Sequence, residues 1–271
     1  MSIRNHKAVF AFILFFVAVV AAPLLGADYT EEIVKSFPLR AGGSFSLDNT
    51  NGSVKIATWA EDRVEVRALK VAERSKEDLA EVKVEFEATA DAVGVKAIWP
   101  EGRRNLRVNV TFDVHLPAGV KVTDVETTNG NLDLRGEFAT AQVGTTNGTI
   151  VLQGCRGDVR AGTTNGDVDV DGAEGRIEVE TTNGSITIRN AVPKDGLDAG
   201  TTNGGITLLL AAPDKVNADL RLETTNGHIE TDIPVTLDRL TKSRHSLEAR
   251  LGSGGPAIRL STTNGSIRIG R

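Results

Sequence analysis

Four acidic residues near the middle of the chain have the spacing of a calcium-binding loop. The segment 167–172 reads Asp-Val-Asp-Val-Asp-Gly, and Glu178 follows six residues after the glycine. Such a loop surrounds one hard cation with carboxylate oxygens, and its glycine permits the sharp turn. The two valines, however, alternate as in a half-buried strand, and helix patterns are missing on both sides. The pattern therefore indicates only a weak candidate metal site at Asp167, Asp169 and Asp171.

Carboxylates paired on a strand also suggest a second chemistry, the cleavage of acidic polysaccharides. Enzymes of this kind on elongated β scaffolds hold two carboxylates and a basic residue in one groove. At the outward strand positions only Asp167 and Asp169 form such a pair, and we find no lysine or arginine beside them in the neighbouring repeat units. A carbohydrate-active lyase or hydrolase is therefore an alternative hypothesis, and we predict no catalytic residue.

Other reactive residues are few. His115, His228 and His245 are too scattered to predict a zinc site. Cys155 is the only cysteine, which excludes an internal disulfide and any multi-cysteine metal site. We interpret it as a small buried residue. The chain also has no phosphate-binding glycine loop and no nucleophile motif, so we expect it to need no cofactor.

The composition excludes a nucleic-acid-binding protein and favours β structure. There are 31 Lys+Arg against 36 Asp+Glu residues, a net charge of −5. Hydrophobic residues make up 40% of the chain but aromatic residues only 4%, and there are 28 glycines. An aliphatic core with many tight turns is typical of proteins built from short strands.

A repeated tetrapeptide organises most of the chain. Thr-Thr-Asn-Gly occurs seven times, and Asn-Thr-Asn-Gly is an eighth copy near residue 50. Apolar residues alternate on both sides of each copy, which predicts two short half-buried strands joined at a corner. In this frame the first threonine points inward, the second points outward, and Asn-Gly occupies positions of positive φ. The motif asparagines are Asn51, Asn129, Asn147, Asn165, Asn183, Asn203, Asn226 and Asn264.

We predict an all-β fold, a β-solenoid with about 18–20 residues per coil. Equivalent residues of successive coils then stack about 4.8 Å apart, so that the asparagine amides form a hydrogen-bonded structural ladder. The alternative is an antiparallel meander of hairpins in which Asn-Gly is a two-residue turn. The solenoid is favoured because the identity extends to both threonines, which a hairpin turn does not require.

The repeat divides the chain into an N-terminal β region with degenerate repeats, 28–121, and a regular solenoid, 122–271. Ala90-Asp91 occupies the Asn-Gly position of one degenerate copy. The segment 243–246, Ser-Arg-His-Ser, occupies another, 19 residues after the motif at Asn226. A short helix is predicted at 75–80, with Ser75 and Asp78 as candidate N-terminal caps.

Residues 1–27 have the layout of a signal peptide. Arg4 and Lys7 precede the uncharged apolar run 8–25. The run is also almost long enough to cross a bilayer, so an uncleaved membrane anchor is the alternative. Removing the two basic residues leaves 29 basic against 36 acidic residues, a net charge of −7. We expect the domain to lie in the periplasm or at the cell surface, with membrane contact only if the leader is uncleaved.

The frame at 48–59, the run at 110–122 and the serial Asn-Gly-x-Ile-x-Leu units resemble a bacterial family of exported putative-adhesin domains. That family is related to the head domain of auto-transporter adhesins, and the resemblance covers nearly all of the exported part. It implies a right-handed β-solenoid in the bacterial envelope, with no agreed ligand and no catalytic residues.

These observations favour a non-enzymatic envelope protein whose long strand faces form an interaction surface. A membrane-tethered scaffold or sensor is a third hypothesis beside the enzyme. The expected partner is a glycan, another envelope protein or a second copy of the chain. Self-association is expected through the C-terminal edge of the sheet. The sequence ends two residues after its last apolar strand position, which predicts that this edge is open and free to pair. Arg268 and Arg271 are candidates for protecting that edge.

Overall fold

The computed structural model describes residues 29–100, 102, 106–233 and 245–271. The predicted leader, 1–27, lies outside these residues. In the described ranges, no helix has both the length and the apolar character needed to cross a membrane. The first elements are β1 (Tyr29–Pro38), β2 (Ser44–Asp48), β3 (Val54–Trp59), β4 (Arg63–Ala72), α1 (Lys76–Glu81), β5 (Lys83–Ala88), β6 (Ala92–Ile98), β7 (Val108–Pro117), β8 (Val120–Asn129) and β9 (Leu132–Asn147).

The later elements are short strands and one 3-10 turn at Pro213–Lys215. They are β10 (Ile150–Cys155), β11 (Val159–Asn165), β12 (Val168–Ala173), β13 (Ile177–Asn183), β14 (Ile186–Ala191), β15 (Leu197–Asn203), β16 (Ile206–Leu210), β17 (Ala218–Asn226), β18 (Ile229–Thr231), β19 (Ser246–Leu251), β20 (Ala257–Asn264) and β21 (Ile267–Gly270). All of these strands belong to one continuous hydrogen-bonded sheet.

The predicted β-solenoid is confirmed. Each coil has one strand segment before the corner and one after it, and each segment pairs in parallel with its equivalent in the adjacent coil. The long strand β9 supplies a segment after the Asn129 corner and the segment before the Asn147 corner. Val168 aligns with Ile150 of the preceding coil, 18 residues earlier, and Ile206 aligns with Ile186, 20 residues earlier. We call the strands before the corner the leading face and those after it the trailing face. On both faces buried aliphatic residues alternate with exposed polar ones, as the period of two predicts.

The hairpin meander is wrong for the Thr-Thr-Asn-Gly corners, since the two strands flanking a corner lie on different faces. A hairpin is nevertheless present at one degenerate copy. Strands β5 and β6 pair antiparallel, with Ala88 opposite Val93, so the Ala90-Asp91 segment is a hairpin turn. Strand β6 then pairs in parallel with β2, on the leading face. The predicted frame would have placed β6 on the trailing face.

At the N-terminal end the coils are not stacked in the expected sequence. Asn51 pairs directly with Asn129, although 78 residues separate them and the spacing predicted intermediate coils. The intervening chain instead extends the two faces outward. Strands β7, β4 and β1 continue the trailing face beyond β3, and β4 is antiparallel to both of its neighbours. The helix α1 begins after Ser75, whose hydroxyl accepts from the Asp78 N–H at 3.3 Å, as predicted.

At the other end the last coil of the sequence is inserted between two earlier ones. Strand β20 lies between β15 and β17 on the leading face, and β21 lies between β16 and β18 on the trailing face. The premise of an open edge at the C-terminal coil is therefore wrong. The corner predicted at 243–246 lies partly outside the described residues; the strand that follows it, β19, runs antiparallel to β17, with Leu247 opposite Leu222.

One aliphatic core fills the interior from end to end. Equivalent residues form columns along it; one such column is Leu132, Ile150, Val168, Ile186, Ile206 and Ile267. Cys155 is 1% exposed in this core and stacks between Phe138 and Ala173, so its interpretation as a small buried residue agrees with the structure.

Candidate functional site

The eight motif asparagines form one unbroken row along the corner. Going along the row from Asn51 to Asn226, the Nδ2 amide of each asparagine donates to the Oδ1 oxygen of the preceding one, at 2.7–2.9 Å. The spatial order differs from the sequence order at the end, because Asn264 lies between Asn203 and Asn226. All seven bonds point the same way. The row therefore ends with an unused donor at Asn51 and an unused acceptor at Asn226, among the described residues.

The corner glycines are required by close approach rather than by positive φ. Only Gly52 and Gly166 of the eight have φ in the left-handed range, at 126° and 153°. The motif asparagines do not have positive φ either, so that expectation is wrong. A Cβ on Gly184 would lie 1.9 Å from the carbonyl oxygen of Gly166, and six other corner glycines meet the preceding glycine in the same way. No side chain fits between coils here.

The first threonine of each motif satisfies the glycine carbonyl that this packing buries. Thr181 Oγ1 donates to the carbonyl of Gly166 at 3.0 Å, and the six equivalent bonds span 2.8–3.2 Å. The threonines do not bond to one another. The second threonines form an exposed row beside the asparagines: Thr128, Thr146, Thr164, Thr182, Thr202, Thr225 and Thr263. Each motif position thus has its own physical role.

The structure does not bring the four carboxylates of the calcium-loop pattern together. Asp167 accepts from the Ser185 N–H at 2.7 Å and so links two coils. Asp171 accepts from the Asn190 amide at 2.7 Å. Glu178 lies on the leading face, whereas the aspartates lie on the trailing face. Within the described ranges, no three His, Cys, Asp or Glu side chains are grouped in a way that could hold a metal ion.

Asp169 has a basic neighbour that the sequence analysis missed. Arg189 of the next coil lies 2.7 Å from the Asp169 carboxylate and 3.9 Å from that of Asp171. The expectation that no arginine accompanies this pair is wrong, because it considered only the two strand positions next to the corner. The arginine holds Asp169 in an ion pair between coils.

Glu178 is likewise held between coils. Its carboxylate accepts from Arg176 at 2.6 Å and from Arg160 of the preceding coil at 2.9 Å. These two guanidinium groups, Arg176 first, lower the pKa of Glu178. An anionic side chain fixed by two arginines is suited to joining coils, and it is a poor proton donor.

A second carboxylate cluster on the leading face was not singled out from the sequence. Glu126 stands opposite Asp48 of the neighbouring strand, and Asp48 pairs with Lys96 at 3.0 Å. Partial burial, and then the charges of Asp124 and Asp48, raise the pKa of Glu126. Only the parallel pairing of β2 with β8 reveals this cluster, since its members are far apart in the chain.

The histidines lie apart, as their positions in the repeat predicted. His228 contacts Glu230 at 3.0 Å and Ser266 at 2.9 Å. It lies at the end of the solenoid formed by the coil of Asn226, which we call the distal end; the end with β1 is the proximal end. His115 stacks on Trp59 near the proximal end, with ring centroids 5.2 Å apart. The backbone carbonyl of His245 accepts from the Thr224 N–H at 2.9 Å, on the leading face.

A groove of about 580 Å³ lies at the distal end of the leading face. We call it the arginine groove; it is lined by Asp219, Leu220, Arg221, Glu248, Ala249, Arg250, Ala257 and Arg259. Arg221 pairs with Glu248 at 3.1 Å, and Arg250 lies 3.6 Å from Asp219.

Arg259 is the unpaired cation of this groove. It stands in register between two neighbouring parallel strands, opposite Arg221 of β17 on one side and Asp198 of β15 on the other. No carboxylate of the described residues lies within ion-pair distance of Arg259. Two like charges placed opposite each other are unfavourable unless an anion lies between them. The sequence did not reveal this pair, because Arg221 and Arg259 are 38 residues apart.

A family model described as Toastrack DUF4097 matches residues 2–270. No curated protein matches the chain. A structure named "putative cell adhesion protein", from Clostridium sporogenes ATCC 15579, is 11% identical, with 89% of this chain and 99% of that chain covered and a TM-score of 0.39.

Two further solved structures are similar. One, named "putative adhesin", from Bacteroides fragilis NCTC 9343, is 11% identical, with 88% of this chain and 96% of that chain covered and a TM-score of 0.41. Another, named "putative lipid binding protein", from Parabacteroides distasonis ATCC 8503, is 5% identical, with 88% and 96% covered and a TM-score of 0.35.

Proposed function

The chain belongs to the Toastrack DUF4097 family, and from this premise we propose that it is an exported, non-enzymatic protein of the bacterial envelope that binds acidic glycans in an adhesin-like manner. The observation that carries the proposal is the arginine groove. It combines an open volume in the range of ligand sites with an arginine, Arg259, that has no carboxylate of the described residues within ion-pair distance.

The charges elsewhere on the solenoid support a division between structural and binding arginines. Arg160 and Arg189 each pair with a carboxylate of a neighbouring coil, so their charge is already neutralised. Arg259 has no carboxylate of the described residues within ion-pair distance. A guanidinium is well suited to bind a carboxylate or sulfate through two parallel hydrogen bonds. The protein is acidic overall, at −5. A local positive site is therefore needed to attract an anionic chain.

Binding is tested by calorimetric titration of the exported part with oligogalacturonate, an acidic glycan. Its methyl ester, in which the carboxylates are neutralised, is the matched ligand control. We expect the acid to bind and the ester not to bind. Arg259→Gln should weaken binding by about tenfold or more, the usual effect of removing one charge-assisted contact. Arg160→Gln, on the same face but paired with Glu178, should leave affinity within about twofold.

Equal affinity of the two arginine variants would refute the groove as the binding site. If neither acid nor ester binds, the acidic glycan is excluded and a protein partner is sought instead. Chain length of the glycan after prolonged incubation is measured in the same samples. Any shortening would favour the alternative of a carbohydrate-active enzyme.

Export is tested separately, from the mass of the mature N terminus. A protein beginning near Asp28 indicates a cleaved leader and a periplasmic or surface protein. A protein that retains the apolar run 8–25 and sediments with membranes supports the alternative of a tethered scaffold or sensor.

A further inference from the structure

We propose that Asn226 is a site of spontaneous deamidation, set apart by the structure from the seven other Asn-Gly pairs of the chain. Asparagine followed by glycine is chemically labile. The backbone nitrogen of the glycine attacks the side-chain carbonyl carbon, Cγ, and closes a five-membered succinimide ring. The Cγ–Nδ2 bond breaks, the released NH₂ group takes the proton from the glycine nitrogen, and ammonia leaves. Water then opens the ring to aspartate or isoaspartate.

Seven of the eight corner glycines are protected against this attack. Their N–H groups donate to the backbone carbonyl of the motif asparagine in the next coil, at 2.8–3.1 Å. A glycine nitrogen held in this bond cannot lose its proton or turn towards Cγ until the coils separate. The protected glycines are Gly52, Gly130, Gly148, Gly166, Gly184, Gly204 and Gly265.

Gly227 differs because its coil is the last of the parallel stack. Its neighbour on the inner side is the coil of Asn264, and Gly265 donates to the Asn226 carbonyl at 3.1 Å. On the outer side the leading face continues with β19, which runs antiparallel to β17 over Ser246–Leu251 and pairs with residues 218–223. Among the described residues, no carbonyl accepts from the Gly227 N–H.

The side chain of Asn226 is also held more weakly than those inside the row. An internal asparagine both donates and accepts one amide bond, whereas Asn226 only donates, to Asn264 at 2.8 Å. Asn51, at the other end, also has a single amide bond, but the Gly52 N–H donates to the Asn129 carbonyl at 2.8 Å. Only Asn226 combines a single amide bond with an unbonded glycine nitrogen.

The product would change the end of the solenoid permanently. An aspartate at 226 has no amide to donate, so its carboxylate would face the Oδ1 oxygen of Asn264 as a second acceptor. Isoaspartate also adds a methylene to the backbone of a corner that packs closely against the next coil. Either change removes the last bond of the asparagine row and loosens the final coil, next to the arginine groove.

The test uses peptide mapping by mass spectrometry after incubating the exported protein in mildly alkaline buffer. Cleavage after lysine and arginine places each of the eight Asn-Gly pairs in a separate peptide, so that the other seven serve as internal controls. In the native protein we expect Asn226 to deamidate about tenfold faster than the mean of the others, the factor that one coil-to-coil hydrogen bond provides. In denaturant the difference should disappear, because all eight pairs lie in the same tripeptide, Thr-Asn-Gly, and no longer differ in packing.

Two outcomes would overturn the proposal. In one, Asn226 reacts no faster than the other pairs in the native protein. In the other, it remains about tenfold faster in denaturant, which would assign its reactivity to sequence rather than to the end of the stack. The measurement needs no ligand, so its result is independent of glycan binding.

Discussion

At the scale of single residues, the reactivity of a side chain depends on its place in the stack, and Cys155 is an example. Burial, with a smaller contribution from the Asp158 carboxylate, raises the pKa of the Cys155 thiol to about 11. The thiol is packed between Phe138 and Ala173 in the core. Thiolate is the reactive form of cysteine, so this residue is inert for two reasons, its low ionisation and its inaccessibility.

We therefore expect Cys155 to react with a thiol reagent such as dithionitrobenzoate about 100-fold more slowly in the native protein than in denaturant at pH 8. The rates are followed by absorbance, and the denatured protein is its own control. Rapid reaction under native conditions would mean that the coil around Cys155 opens readily, which disagrees with a residue 1% exposed.

At the scale of the elements, the corner is the part whose sequence is most strongly constrained. Glycine is needed where two coils approach, threonine where a buried carbonyl must be satisfied, and asparagine where amides can form a row. The strand positions tolerate more variation, since Leu, Ile and Val replace one another within the same column of the core. This explains why the tetrapeptide is repeated almost without change while the strands vary.

The close approach at the corner predicts that alanine substitutions at two glycines of neighbouring coils differ greatly in their effect on the free energy of unfolding. In Gly184→Ala the new Cβ would lie 1.9 Å from the Gly166 carbonyl oxygen, so the coils must separate. We expect a loss of about 2–4 kcal/mol in the free energy of unfolding. Gly200→Ala is the matched control, because a Cβ there meets no atom within 4 Å.

Urea denaturation measures both variants, and we expect Gly200→Ala to remain within about 0.5 kcal/mol of the unmodified protein. Similar midpoints for the two variants would show that the corner can widen without loss, contrary to the role assigned to its glycines.

At the scale of the whole molecule, the order of the coils decides which coils must be in place before others can be held in the stack. Strands β20 and β21 hold the coil of β17 and β18 to the rest of the solenoid. The distal end therefore cannot be completed until the last residues of the chain are in place. In a stack where each unit contacts only its neighbours, removing an internal unit releases everything beyond it.

A chain ending at Gly255 tests this dependence. We expect the backbone amides of β17 and β19 to lose their protection against hydrogen exchange by about 100-fold or more, while those of β11 and β13 keep theirs. A chain lacking only Arg271 is the control and should match the full chain. Protection of β17 retained in the shorter chain would contradict the inserted position of β20.

The sequence alone determined the corner, the period of two in the strands, the coil length and the membership of the motif row. These features are local, because each follows from which residues stand within about ten positions of an Asn-Gly pair. The short helix after Ser75 and the buried place of Cys155 were predicted in the same way.

Only the tertiary structure decided which coil lies beside which. Eight nearly identical corners can stack on one another in any order with the same hydrogen bonds, so the motif carries no information about its neighbour. The insertion of β20 beside β15, the direct contact of Asn51 with Asn129 and the pairing of Arg221 with Arg259 all result from that order. The order departs from the sequence of the repeats at both ends, where the antiparallel strands β4, β5 and β19, which the repeat frame does not describe, also pair into the sheet.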